Sequence, residues 1–459
     1  MPKCTKDRID FGRFGRRVIE ADFSGGDLSS DGGLLLLRQV DGHLGLSRMA
    51  AAAIPDPRDP ERIRHGLRDL LAQRLYALCC GYEDLNDHKA LRGDVLMQTA
   101  VGCDQTLASA PTFSRLENRA TRAQAWALHG VLIEQFIASH DEPPEELVLD
   151  IDASDVPLHG EQELSQFHAY YDHHCYLPLY VFCGQAMLAC YLRPSKIDGA
   201  KHAAAVIKLL VTRLRKVWPT TRFIVRGDSG FCRRRLLHWC ERSGVGYIIG
   251  LARNARLEAT VQYAEAMLAD EYARTGAKQR LIDEFVYAAD SYKASGTKQR
   301  LIGEFSYAAK SWRHERRVIT RLEYGSQGTN PRFIVTNLQG DAIQLYDQLY
   351  CQRGEAENRI KEAQLDLFGT RASCSRFIAN QFRLLLAALA YTLMQRLRAL
   401  ALHATELERA SAATIRVRLL KIGAAILRNT RRVRVMLASH HPLRELFATA
   451  AARLAALSP

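Results

Sequence analysis

Leu147-Val148-Leu149-Asp150-Ile151-Asp152 is a short apolar run that ends in two carboxylates two positions apart. A near-continuous apolar run of this length is the pattern of a strand buried on both faces of a sheet. Side chains two apart on a strand share a face, so Asp150 and Asp152 point the same way. Two carboxylates ~4 Å apart repel by about 4 kcal/mol at an effective dielectric of ~20, and a divalent cation between them removes that cost. The plainer alternative is a strand end at which Asp152 caps the turn Asp152-Ala153-Ser154-Asp155.

Downstream, Tyr176 to Phe182 and Gln185 to Leu192 read as two further strands separated by a turn at Cys183-Gly184. An Ala-rich helix from about Gly199 to Val217 ends at Pro219. Phe223-Ile224-Val225 makes a fourth strand, Arg233 to Ser243 a helix, and Val245 to Gly250 a fifth strand. Three strands in succession imply an antiparallel meander, and helical crossovers then add parallel strands. That order is the order of a ribonuclease-H-like mixed sheet, so the expected fold class is α/β.

Upstream, residues 1–145 read as a helical N-terminal region. Asp59-Pro60 is a helix start, followed at helical spacing by Ile63, Leu67, Leu70, Leu71, Leu75 and Leu78. Further helices are expected at Leu91 to Val101 and Thr121 to Ile137, before the break at Asp141-Glu142-Pro143-Pro144. Residues 146–251 and 341–402 form the expected catalytic domain, with the long apolar helix from Phe377 to Leu402 packing on the sheet. Between them, the alternation of strands and helices breaks up over 252–340, which reads as an insertion. It holds a tandem repeat, TGAKQRLIDEFVYAADSYKA (275–294) and SGTKQRLIGEFSYAAKSWRH (295–314). Two copies are too few for a solenoid, so the repeat reads as a local duplication. Residues 403–459 read as a helical tail with a basic cluster at Arg428, Arg431, Arg432 and Arg434.

Lys and Arg total 63 against 50 for Asp and Glu, a net charge of +13. An excess of this size favours a polyanionic partner, because each phosphate neutralised releases a condensed counterion. The 11 cysteines lie at irregular spacings with no Cys-x-x-Cys pair, which fits free thiols in a reducing cytoplasm. The start of the chain lacks the apolar core of a signal peptide. The apolar stretch Leu384 to Met394 falls well short of the ~20 residues that span a bilayer. A cytoplasmic protein without membrane association is expected.

Two other segments carry chemistry. Arg226-Gly227-Asp228-Ser229-Gly230-Phe231 puts an Asp at the carboxyl end of the fourth strand, flanked by glycines that permit close approach of a ligand. If the first and fourth strands are neighbours, Asp152 and Asp228 converge. On a helix through residues 350–361, Tyr350, Arg353, Glu357 and Lys361 share one face. A carboxylate among an aromatic and two cations suits a metal held beside a phosphate chain; alone, the stripe reads equally as a solvated charged face. Three carboxylates from such elements match the arrangement that holds two divalent ions for in-line displacement at phosphorus, and Mg2+ or Mn2+ suits the hard oxygen ligands.

These three blocks resemble those of the bacterial insertion-sequence DDE transposases of the thirteen-eighty group, relatives of transposases whose third block reads Tyr-x2-Arg-x3-Glu-x6-Lys. The resemblance runs along nearly the whole chain, including Phe23-Ser24-Gly25-Gly26, the stretch Phe167 to Gly184, the Asp228 block and the Tyr350 helix. It implies a DNA transposase that cuts the inverted-repeat ends of its own element and joins them to target DNA by two-metal hydrolysis and transesterification, with residues 1–145 as its DNA-binding region and 252–340 as a mostly β insertion. It maps the catalytic, metal-holding carboxylates to Asp152, Asp228 and Glu357, with Asp150 the rival for the first position. It also maps phosphate contacts to Tyr350 and Arg353, with Lys361 the nearest cation to the expected Lys, whose own place is taken by Gln364. A homodimer or larger assembly on DNA is expected. A stand-alone nuclease of this fold and a decayed transposase that only binds DNA are the rival readings.

His168, His173, His174 and Cys175 lack the ligand spacing of a structural zinc site. Arg213, Arg215 and Lys216, then Arg233 to Arg235, and the Arg428 to Arg434 cluster are candidate backbone contacts. No glycine-rich phosphate loop occurs, so no nucleotide cofactor is expected.

Overall fold

The computed structural model describes residues 8–277, 279–280, 301–307, 312 and 314–457. Most of the tandem repeat lies outside these residues. The chain divides into two units, one of residues 121–365 and 369–388, the other of residues 1–120, 366–368 and 389–459.

The first unit is built on a large mixed sheet. Its strands are β1 (Glu146–Ala153), β2 (Leu179–Cys183), β3 (Ala186–Tyr191), β4 (Arg222–Gly227), β5 (Gly246–Leu251), β6 (Leu301–Tyr307), β7 (Arg316–Gly325) and β8 (Arg332–Thr336). The order across the sheet is β7-β8-β5-β4-β1-β2-β3, with β6 also paired to β7. β1, β2 and β3 form the expected antiparallel meander, whereas β4 runs parallel to β1 and β5 parallel to β4. The crossovers are α1 (Ala203–Val217) and α2 (Arg234–Arg242).

Alternation along β1 explains why its apolar run is continuous. Leu147, Leu149 and Ile151 enter one core cluster with Val181, Leu188, Val225 and Ile249. Val148 faces the other side, among Ile224, Ile248, Ile319, Ile334 and Tyr346. Asp150 and Asp152 therefore belong to the face that Val148 shares with Tyr346. The helix Arg122–Ile137 also belongs to this unit and packs on β3.

The stretch 252–340, expected to be mostly β, opens with a 21-residue helix, α3 (Ala255–Thr275), capped by Asn254. Its strands β7 and β8 do not stand apart but extend the central sheet beside β5. The third block follows as a π-turn (Leu345–Tyr350), a 3-10 turn (Cys351–Arg353) and α4 (Gly354–Lys361), so its residues sit on a helix of uneven pitch.

The second unit carries helices Leu34–Leu44, Leu46–Ala53, Leu67–Cys79, Val95–Val101 and Ala110–Asn118. It also contains strands: an exposed hairpin, Ile9–Phe14 with Arg17–Ala21, and a small sheet in which Ala424–Arg428 pairs with Val433–Leu437 and Leu28–Ser29. Buried Asp41 accepts hydrogen bonds from Ser47 and Tyr76 and so ties three helices together.

Helix Phe377–Ala401 is long and apolar enough to cross a membrane by length and composition, yet 83% of its most apolar window is buried inside the protein. Its buried Asn380 and Gln381 are hydrogen-bonded, to Cys374 and to the backbone of Cys190 and Leu192. These are the features of a core helix.

Candidate active site

Asp152 and Asp228 are brought together by strand register. β1 and β4 pair in parallel through Asp150↔Arg226 and Ile151↔Gly227, and each Asp is the next residue along its strand. A Cβ at Gly227 would lie 3.0 Å from the Ile151 side chain and 3.4 Å from its carbonyl, so glycine permits this close approach. Asp228 ends its strand by accepting a hydrogen bond from Gly230 N at 2.9 Å, which caps the 3-10 turn Ser229–Phe231. Asp152 accepts one from Ala153 N at 2.8 Å.

The third block covers this strand end. α4 packs against β1, and Glu357 lies on it. Arg353 joins the carboxylates, with Nη1 2.7 Å from Glu357 and 3.7 Å from Asp152. Burial and the charge of Asp228, with a smaller push from Glu357, raise the Asp152 carboxyl to about 6, although Ala153 N–H and Arg353 pull it down. The Asp152 side chain is half-buried, and the Arg353 cation 3.7 Å away does not offset burial and the charge of Asp228. Burial also raises the Tyr350 phenol, which stays protonated beside Arg353 and Asp228.

Asp150 is occupied differently. Both of its carboxylate oxygens accept from Arg226, Oδ2 at 2.7 Å from Nη2, and the pair is almost wholly buried. The same guanidinium donates to the Leu349 carbonyl, immediately before Tyr350. Burial pushes the Asp150 carboxyl up while Arg226 pulls it down. Lys361 is exposed at the end of α4.

Two contributors carried no motif in the sequence. Gly250 sits one residue beyond the pairing Gly227↔Ile249. A Cβ there would lie 2.6 Å from Ser229 N, 2.8 Å from the Tyr350 hydroxyl and 3.0 Å from Asp228 C. Gln364, at the expected lysine position, is buried and fastens the turn after Asp152. It accepts from Ser154 Oγ at 3.2 Å and donates to the Asp155 carbonyl at 3.0 Å.

Of the candidate basic contacts, Arg213 pairs with Glu134, Arg233 with Asp198, and Arg215 lies over the Phe223 ring. Arg234 and Arg235 line an open groove with Lys208, His238 and Arg242, beside Trp239. Arg428 approaches Asp104 and Gln98. His173 lies 2.8 Å from Asp155, and His174 packs on Phe167.

The match that decides the family covers residues 11–459 and is to Transposase DDE domain group 1. The chain belongs to this DDE transposase family. No curated protein matches it. Among solved structures, it is similar to the piggyBac transposase of a synaptic complex with hairpin DNA, at 10% identity and a TM-score of 0.41, over 85% of this chain and 80% of that one.

The side chains of this DDE domain offer hard oxygen donors at one strand end, where the half-buried Asp152 and the adjoining Asp228 fit a divalent cation. As the side chains stand, Arg353 bridges Asp152 and Glu357, and among the described residues no three His, Cys, Asp or Glu groups are gathered closely enough to hold an ion.

Proposed function

We propose that the protein is the transposase of an insertion sequence of the thirteen-eighty group, with Asp152, Asp228 and Glu357 as its catalytic carboxylates. The juxtaposition of Asp152 and Asp228 at adjoining parallel strand ends, beneath the helix that carries Glu357, is the observation that supports this reading most. The strand order β3-β2-β1-β4-β5 supports a ribonuclease-H-like arrangement.

In this reading, Asp152, Asp228 and Glu357 would hold two Mg2+ or Mn2+ ions, which would supply Lewis acidity at the reacting phosphate. Water first displaces the 3′-oxygen at the element's end, breaking its bond to phosphorus and leaving a 3′-hydroxyl. That hydroxyl then attacks a target phosphodiester, forming a new P–O bond and releasing a target 3′-hydroxyl. The Arg353 guanidinium and the protonated Tyr350 phenol donate to non-bridging phosphate oxygens, while Lys361 meets the strand farther out. Asp150 serves through Arg226 as a positioning residue. The partners are the inverted-repeat ends and target DNA, with two or more copies holding two ends in the cytoplasm.

The test is a cleavage and strand-joining assay on the DNA flanking the gene, with Mg2+, comparing the wild type with Asp228→Ala. Joined products that disappear in the variant support the proposal. Cleavage without joining establishes a nuclease instead, and a folded, DNA-binding but inactive wild type establishes a decayed copy.

A further inference from the structure

The helical unit contains a cavity of about 390 Å³ lined by six arginines, Arg58, Arg62, Arg64, Arg92, Arg115 and Arg119. Ligand pockets are ordinarily lined mostly by apolar side chains with few charges, and this one is the reverse. Only two carboxylates pair with the six guanidinium groups among the described residues. Asp56 is shared by Arg58 and Arg119, and Asp59 reaches the exposed Arg62 at 3.4 Å. Arg64 and Arg92 have no ion-pair partner among the described residues. The Nε of Arg119 is buried without a hydrogen-bond partner, and the residue lines the cavity.

The opposite wall is the first turn of helix Ala110–Asn118. Ser109 stands at its N-cap without a side-chain capping bond, and both Ser109 and Thr112 face the cavity. A helix start carries partial positive charge, although here Pro111 has no N–H and the Thr112 N–H already bonds the Ser109 carbonyl. His65 is a neutral member of the lining: burial and then Arg64 push its pKa below the ordinary value, against the pull of Asp69. Guanidinium forks, hydroxyls and a helix start on one concavity match the tetrahedral oxygens of phosphate.

We infer that this arginine cavity of the helical unit is a DNA-backbone site that seats phosphates of the element's end, remote in sequence from the carboxylate site. Phosphate contacts fix register without reading sequence, so the cavity anchors the duplex while other residues discriminate ends. This inference rests on DNA being the substrate, as proposed above.

The full chain is titrated by fluorescence anisotropy with a labelled duplex from the DNA flanking the gene and a scrambled duplex of equal length, over a series of NaCl concentrations. Arg64→Gln/Arg92→Gln is compared with Arg409→Gln/Arg444→Gln, a control of equal charge loss at two exposed residues of the same unit that do not line the cavity. The cavity pair is expected to flatten the plot of log affinity against log salt by about two, near one for each phosphate no longer neutralised, on both duplexes. Affinity should fall about tenfold or more, with an unchanged melting temperature, and the control should keep the wild-type slope. Arg64→Glu alone, at an exposed position, should weaken binding further still and stands in if the double variant unfolds. Equal slopes and affinities for the cavity pair and the wild type would overturn the inference. So would a melting-temperature rise with inorganic phosphate that the cavity pair abolishes while DNA affinity stays intact, because the site would then belong to a small anion. A wild type that binds neither duplex would overturn the transposase reading itself, which the strand-joining assay tests separately.

Discussion

Arg226 holds both carboxylate oxygens of Asp150 from the adjoining parallel strand and reaches the carbonyl just before Tyr350 with its remaining nitrogen. The pair lies at register position Asp150↔Arg226, two residues before Asp152 and Asp228. It therefore couples the sheet to the helix that carries the rest of the site.

Asp150→Asn is expected to cost about 3–5 kcal/mol, because it leaves a buried guanidinium without its counter-charge. An apolar double replacement, Asp150→Leu with Arg226→Met, should recover most of that loss. Urea unfolding of the two variants checks both values. The rise in melting temperature on adding Mg2+ separates the two Asp residues. Asp152→Asn should abolish it and Asp150→Asn should largely keep it, whereas the opposite pattern would make Asp150 the metal ligand.

Gly250→Ala tests how tightly the site is packed. Its Cβ would meet the backbone of Asp228 and Ser229 as well as the Tyr350 hydroxyl, all within 3.0 Å. Backbone on two sides gives no flexible neighbour that can yield, so we expect a loss of roughly 1–3 kcal/mol, the usual cost of overpacking. Strand joining should fall by more than tenfold, since displacement of reacting groups by about 1 Å can cost ~100-fold. Urea unfolding and the joining assay read the two effects.

Much of this site is legible in the sequence because it hangs on strand periodicity. The run Leu147 to Asp152 predicts a doubly buried strand with two same-face carboxylates, and residues of both its faces pack into core clusters. The meander, the crossovers and the neighbouring first and fourth strands follow from element order. What alternation does not encode is which same-face carboxylate meets an arginine across the strand. Arg226 shares the face of Asp150 by register, and register becomes visible only when the strands are paired. Gly250 is likewise silent, since its function depends on the Tyr350 side chain a hundred residues away. The helix α3 within 252–340 is legible by the same rule, since its buried positions Leu257, Val261, Ala264 and Leu268 recur at helical spacing, and the expectation of a mostly β insertion passes over that stripe.

Acid sensitivity should originate in the helical unit. His88 is fully buried, with Nδ1 2.9 Å from Gln73 Nε2 and its ring stacked on Phe113. Burial, and to a lesser degree Arg74, lower its pKa from 6.5 to about 3. Between these values the unfolded chain binds a proton that the folded chain does not, so stability falls as pH drops below 6.5 and continues to fall towards 3. At about pH 5 the loss is on the order of 2 kcal/mol relative to pH 7. His88→Asn should lower stability at pH 7 and remove this share of the pH slope, as read from urea unfolding at both pH values. A variant with the full wild-type slope would assign the acid sensitivity to other groups.

Gln364 raises the question of whether restoring the family's lysine would improve the enzyme. The amide is buried, and its two ends are used, one accepting from Ser154 and the other donating to the Asp155 carbonyl, so that it clamps the turn beyond Asp152. Lysine has donors but no acceptor, so Ser154 would lose its partner and an ammonium would enter a buried position. Gln364→Lys is therefore expected to cost about 1–3 kcal/mol in urea unfolding and to lower strand joining. Gln364→Glu keeps the acceptor but loses the donors, and should lower both as well, with a carboxylate added near Asp152. A Lys variant that joined DNA faster at unchanged stability would mean that position 364 faces the phosphate chain and that the clamp is dispensable.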